Sequence, residues 1–201
     1  MHVAFAGPHY TIIPNRLYSD SDKAQYLLPL KTPATAAENI FSDVVPSIDS
    51  QLIYSLPSDV VAFFNTTYDG KAKLNHSFSS LIEQFSKKAG TGKEVFLNVR
   101  NHTVDAFFFD NKELIFSNQF SFQSDKDFLY YILLLFDKFQ LNQMEVPVNI
   151  SGTLSTDSTI YSQLYKYIQY LYFIDLPTAF SQDSDLQKHP AHLFFDILHT
   201  A

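Results

Sequence analysis

"FLNVRNHTVDAFFFDNKELIFSN", Phe96 to Asn118, reads as a strand, a tight polar turn, a second strand, a two-residue turn and a third strand. Asp110-Asn111 is the expected second turn, since both residue types tolerate positive φ. Downstream, Ser-Asp-Lys-Asp at Ser124 places an acid three positions after a capping serine and so opens a helix. Phe128, Tyr131, Ile132, Leu135, Phe136 and Phe139 give that helix a broad apolar stripe. "VPVNISG" is then a core strand ending at Gly152. Asp157 or Ser158 caps a helix over "TIYSQLYKYIQYL", "YFIDL" is a late strand, and "AHLFFDILHT" is a final short helix. The order strand-strand-strand-helix-strand-helix-strand predicts an α/β unit with a mixed sheet.

Upstream the pattern is weaker. "HVAFAGPHYTIIP" reads as two short strands around a Gly7-Pro8 turn, and residues 15–39 as an excursion with a short helix. "SQLIYSLP" is a strand closed by Pro57, after which Ser58 is the expected cap of a helix burying Val60, Val61, Phe63 and Phe64. "AKLNHS" is a further strand. Phe78, Leu81, Ile82 and Phe85 at i, i+3, i+4 and i+7 mark a clear helix that ends near Gly90.

With 201 residues the chain can bury a sizeable core, and 46% hydrophobic against 17% charged residues is a globular composition. No apolar run approaches the roughly 18 residues that cross a bilayer. The N-terminus lacks the pattern of a signal peptide. There are no cysteines, hence no disulfides and no thiolate chemistry. The expectation is a cytoplasmic protein without a membrane partner. Fourteen basic against 21 acidic residues argue against nucleic acid, which is held through neutralised phosphates. The 20 Phe and 12 Tyr then read as core filling rather than as base-stacking platforms.

Two motifs invite chemistry. "AGTGKE" (Ala89–Glu94) imitates a phosphate loop, but Lys87 stands at its first glycine and Glu94 at its hydroxyl. It also follows a helix and precedes a strand, the reverse of the required context, so it reads as a turn. In the C-terminal "HPAHLFFDILH", His192, Asp196 and His199 fall on one helical face and form the metal candidate of the sequence. The competing reading is an amphipathic helix docked through Leu193, Phe194, Ile197 and Leu198. No serine sits in the glycine-flanked elbow of a nucleophile.

"NHTVDAFFFDNKELIFSNQFSFQSDKDFLYYIL", "VNISGTLSTDSTIYSQLYKYI", "HPAHLFFDIL" and the earlier "YTIIPNRLY" together resemble the Bacteroidetes family called domain of unknown function 3822. The pattern N-x-F-x6-D-F-x-Y-Y-x-L, here Asn118 to Leu133, carries most of that resemblance. It implies an actin-like ATPase (ribonuclease H-like) α/β fold with two related βββαβα lobes. The first, incomplete lobe falls at 1–90 and the second, with the C-terminal helix, at 91–201. Members usually have an earlier strand pair before "HVAFAG", where a first phosphate turn belongs.

The cleft turns of such ATPases map onto two stretches. The second phosphate turn resembles h-D-h-G-x-x-x-T/S. Laid on residues 97–105, it has Asn98 at the acid, Arg100 at the glycine, and Asn101 and Thr103 following. The adenosine turn resembles h-h-h-x-G-G-x-[ST] and gives Gly152, Thr153 and Ser155. An amide has lost the charge that holds a metal, and a bulky side chain stands where backbone must approach phosphate. The resemblance therefore implies a non-catalytic protein without cofactor, working through a protein partner or self-association. The alternative is a divergent ATP-binding or phosphotransfer protein with a rebuilt cleft for ATP and Mg²⁺.

Overall fold

The computed structural model describes residues 1–30, 38–175 and 188–198. Among these the chain divides into two units, Met1–Gln84 and Phe85–Leu198. The first contains β1 (His2–Phe5), β2 (Tyr10–Pro14), α1 (Lys23–Leu27), β3 (Glu38–Val45), β4 (Ser50–Pro57), α2 (Ser58–Thr67), β5 (Lys73–His76) and the start of α3 (Ser77–Lys88). β4 buries Leu52, Ile53, Tyr54 and Leu56 and pairs antiparallel with both β2 and β3. β1 does not fold back on β2 across Gly7-Pro8; it pairs in parallel with β5.

Three local expectations need correction here. The strand β3 is absent from the sequence reading, because its burial is uneven along "ENIFSDVV". The Ser58 side chain does not cap α2; the Asn39 side-chain amide donates to its hydroxyl at 2.9 Å. No residue of α2 is fully buried and Phe63 is exposed, so the expected apolar face is only half covered. Part of the expected excursion, residues 31–37, lies outside the described residues.

One acid organises this unit. Asp43 is buried on β3 and accepts from the His76 backbone N–H at 2.7 Å, from the Tyr54 hydroxyl at 3.2 Å and from the Ser79 hydroxyl. Burial raises its carboxyl above the ordinary value, against the lowering effect of those donors. The carboxylate ties β3 to the start of α3.

In the second unit, β6 (Lys93–Val99), β7 (Thr103–Asp110) and β8 (Glu113–Ser121) form the expected antiparallel meander. The turn residues are Asn111 and Lys112, at φ 49° and 70°, one position later than expected. α4 (Asp125–Lys138) starts in a reciprocal capping box between Ser124 and Asp127. It buries Phe128, Ile132, Leu135 and Phe136, while Tyr131 is only half covered. β9 (Val148–Gly152) returns parallel to β6, and β10 (Leu171–Phe173) parallel to β9, giving the order β10-β9-β6-β7-β8. α5 is capped by Ser158 but stops at Leu164, shorter than expected (Thr159–Leu164). A single 3-10 turn at Ala191–Phe194 leads into α6 (Phe195–Leu198).

Strand alternation gives this sheet two different faces. Val95, Leu97, Val99, Val104, Ala106 and Phe108 pack with α4 in an apolar core. The opposite face is aromatic along one row, where Phe85 stacks on Phe96 and Phe195 and meets Phe107 edge-on. The next row on that face is polar.

Candidate functional site

The polar row crosses four strands. In register, Ser151 of β9 lies opposite Asn98 of β6, Asn98 opposite Asp105 of β7, and Asp105 opposite Gln119 of β8. Ser151, Asn98 and Asp105 are fully buried. Ser151 Oγ donates to Asn98 Oδ1 at 3.0 Å, Asn98 Nδ2 to Asp105 Oδ2 at 3.3 Å, and Gln119 Nε2 to Asp105 Oδ1 at 2.8 Å. A polar ladder on a sheet face that otherwise stacks aromatics is stable only when each member is satisfied by its neighbours.

Arg100 closes the row. Its backbone N–H donates to the Thr103 carbonyl at 2.8 Å, shaping the turn between β6 and β7. The side chain folds back so that Nη1 lies 2.5 Å from Asp105 Oδ2, and Nε lies 3.6 Å from Asp196 Oδ2 of α6. Asn98 Nδ2 also donates to Asp196 Oδ2, at 3.4 Å. Burial raises the Asp105 carboxyl, opposed by the positive charge of Arg100 and by the amide donors.

Gly152 ends β9 at φ +88°, opposite Val99. A Cβ there would stand 2.0 Å from the Val99 carbonyl oxygen. The Thr153 N–H donates to that same oxygen at 2.8 Å, which seats the two turns side by side. Asn101 and Ser155 are exposed, and the Ser155 carbonyl accepts from the Ser158 hydroxyl at 2.8 Å, serving the α5 cap. The structure thus joins Asn98, Arg100, Gly152 and Thr153 at adjoining strand ends, with Asn101 in the β6–β7 turn and Thr103 at the start of β7.

The C-terminal candidates part company. His192 is buried, its Nε2 2.8 Å from the Leu154 carbonyl oxygen and its ring 4.1 Å from that of Phe173. Burial lowers its pKa. Asp196 instead faces Arg100, and His199 lies outside the described residues. No group of three His, Cys, Asp or Glu placed to hold a metal occurs among the described residues.

Asp105 and Gln119 were not singled out in the sequence. The available signal was an acid in the strand "TVDAFFFD", whose every neighbour from Val104 to Phe109 is buried. This donor set does not fit a Mg-nucleotide. The acid position is an amide already engaged on both its atoms, and a guanidinium stands between the two carboxylates.

Comparison with known proteins agrees with this architecture. The sequence model of a family described as "Protein of unknown function (DUF3822)" matches residues 1–171. A protein of Bacteroides thetaiotaomicron, described as having an actin-like ATPase fold and unknown function, superposes with a TM-score of 0.77 at 22% identity, covering 92% of this chain and 71% of that one. A structure of the PilM–PilN type IV pilus biogenesis complex matches with a TM-score of 0.53 at 10% identity, covering 95% of this chain and 74% of that chain. No curated protein sequence matches. These likenesses establish the actin-like fold. No helix among the described residues is long and apolar enough to cross a membrane.

Proposed function

This chain belongs to the DUF3822 family and has the actin-like fold, and we propose that it is a non-catalytic member of that fold which works through protein contacts. One observation carries the reading: the turn that would take phosphate is satisfied by the chain's own groups. Asn98 is bound by Ser151 and faces Asp105, and Arg100 is balanced by Asp105 and Asp196. An incoming phosphate would have to compete with carboxylates already in place. The PilM–PilN complex shows the fold used in a protein assembly, which supports the same reading for this chain.

Self-association is the contact to test first. β1 has a paired edge only towards β5 among the described residues, and its sequence "HVAF" carries no acid or lysine to discourage pairing. Sedimentation of the purified chain should show concentration-dependent association, and Ala4→Lys should weaken it without lowering the melting temperature. A strictly monomeric chain that turns over Mg-ATP would replace this reading with a nucleotide-binding one.

A further inference from the structure

The buried acid of the first unit has more close oxygen contacts than protons to fill them. Asp43 lies on β3, Tyr54 on β4, His76 at the end of β5 and Ser79 in the first turn of α3, and all four are buried. Tyr54 Oη stands 3.0 Å from the Leu74 carbonyl oxygen and 3.2 Å from Asp43 Oδ1. Ser79 Oγ stands 2.7 Å from the His76 carbonyl oxygen and also meets Asp43 Oδ2. A hydroxyl carries one proton, so these four contacts have two protons between them. The three-donor arrangement around an ionised Asp43 uses both of them on the acid. Ser79 Oγ then faces the His76 carbonyl oxygen at 2.7 Å with no hydrogen in between. A proton on Asp43 Oδ2 resolves this. The acid donates to Ser79 Oγ, Ser79 donates to the His76 carbonyl, and Tyr54 donates to the Leu74 carbonyl. The His76 backbone N–H is accepted by Oδ2 in either state.

The surroundings supply no positive charge. The His76 ring accepts from the Phe78 N–H at Nδ1, 3.2 Å away, which leaves Nε2–H to donate to the Gly7 carbonyl at 3.1 Å; the ring is neutral. Tyr10 of β2 packs on that ring. Burial pushes the Tyr54 hydroxyl above its ordinary value, so it keeps its proton. On α1, packed against β3, Lys23 pairs with Asp20 at 2.6 Å. On α2, also against β3, Asp59 accepts from the Val60 N–H. Lys73 of β5 is exposed, and Glu83 of α3 accepts from the Ser47 N–H. Among the described residues no basic side chain donates to Asp43; beyond the groups above it has only the Asn75 amide, at 3.5 Å. We propose that Asp43 is a neutral carboxylic acid in the folded chain, its proton bridging to Ser79, and that ionising it unlatches the first turn of α3 from β3. The ionised acid is a buried charge without a partner, relieved when that turn lifts and water enters. Burial raises the folded carboxyl above its ordinary value, and the opened one returns to it. Between the two values opening releases a proton, so it becomes easier as pH rises.

Two measurements on the unmodified full chain decide this. Carboxyl-carbon NMR shifts, with Asp43 assigned through its own β-protons, report the state of the acid during a pH titration. Asp43 should keep its protonated signal above the ordinary aspartate range. Native-state amide exchange reports the latch through the His76 and Phe78 N–H groups, which Asp43 and the His76 ring accept. Corrected for intrinsic exchange, their protection should fall about tenfold per pH unit across the window and then level off, the slope of one released proton. Asp43→Asn keeps a neutral group of the same shape and should flatten that dependence. An Asp43 carboxyl that titrates at or below the ordinary aspartate value overturns the protonated state. Protection of His76 and Phe78 that ignores pH, or that falls as steeply in Asp43→Asn, overturns the latch.

Discussion

Gly152→Ala should unfold the second unit. The residue sits at φ +88°, a conformation that L side chains rarely adopt, and the added Cβ would lie 2.0 Å from the Val99 carbonyl oxygen and 2.8 Å from the Val99 nitrogen. Both atoms are backbone of the central strand β6, which is held by pairing on both edges and cannot yield. A loss of more than about 4 kcal/mol is expected, the range reserved for a few severe mechanisms. Against a typical total of roughly 5–15 kcal/mol, that leaves little folded protein. Urea unfolding followed by tyrosine fluorescence measures it. A variant with an unchanged midpoint would show that β6 and β9 do not approach so closely at this point. Gly152 is thus required by strand packing alone, whatever its place in the turn pattern of the fold.

Arg100→Met should cost about 3–5 kcal/mol, because it leaves Asp105 buried without its countercharge. The double variant Arg100→Met with Asp105→Asn should recover much of the loss, since a neutral amide needs no partner charge. The pH dependence carries a definite sign. Burial raises the folded pKa of Asp105 above the ordinary carboxylate value, so between the two values the folded state holds the extra proton. Stability from this group therefore falls as pH rises through that window. Removing Arg100, whose charge lowers the pKa, widens the window upward. The penalty of Arg100→Met should be small in acid and grow towards neutrality, read as denaturation midpoints across that range. A penalty independent of pH would argue that the guanidinium acts only as packing.

The second unit was legible in the sequence because its local signals agree with its global pattern. The capping box at Ser124, the spacing of Phe128, Ile132 and Leu135, and the strand ending at Gly152 each survive in the structure. The first unit was less legible for physical reasons. β3 alternates poorly because Asp43 points inward to a buried network, so an acid occupies a position that periodicity reserves for an apolar residue. Ser58 looks like a cap, yet its hydroxyl is engaged by Asn39 from a strand distant in sequence. The same limitation hid half of the candidate site. Asn98 and Arg100 could be picked out by mapping a family turn onto the chain, but Asp105, Gln119 and Ser151 become their partners only through strand register. Asp196 was visible as a metal candidate beside His192; only the folded chain turns one towards Arg100 and the other towards Leu154.

On the function proposed here, the chain's own groups occupy the place where an ATPase of this fold would hold phosphate. Thermal denaturation of the unmodified full chain during titration with Mg-ATP distinguishes this from a working nucleotide site. The melting temperature should not move at millimolar nucleotide. A ligand that binds only the folded state adds about 2.7 kcal/mol at 100 times its Kd. A saturable upward shift of that order, abolished by Arg100→Met together with Asp105→Asn in a chain that remains folded, would contradict it.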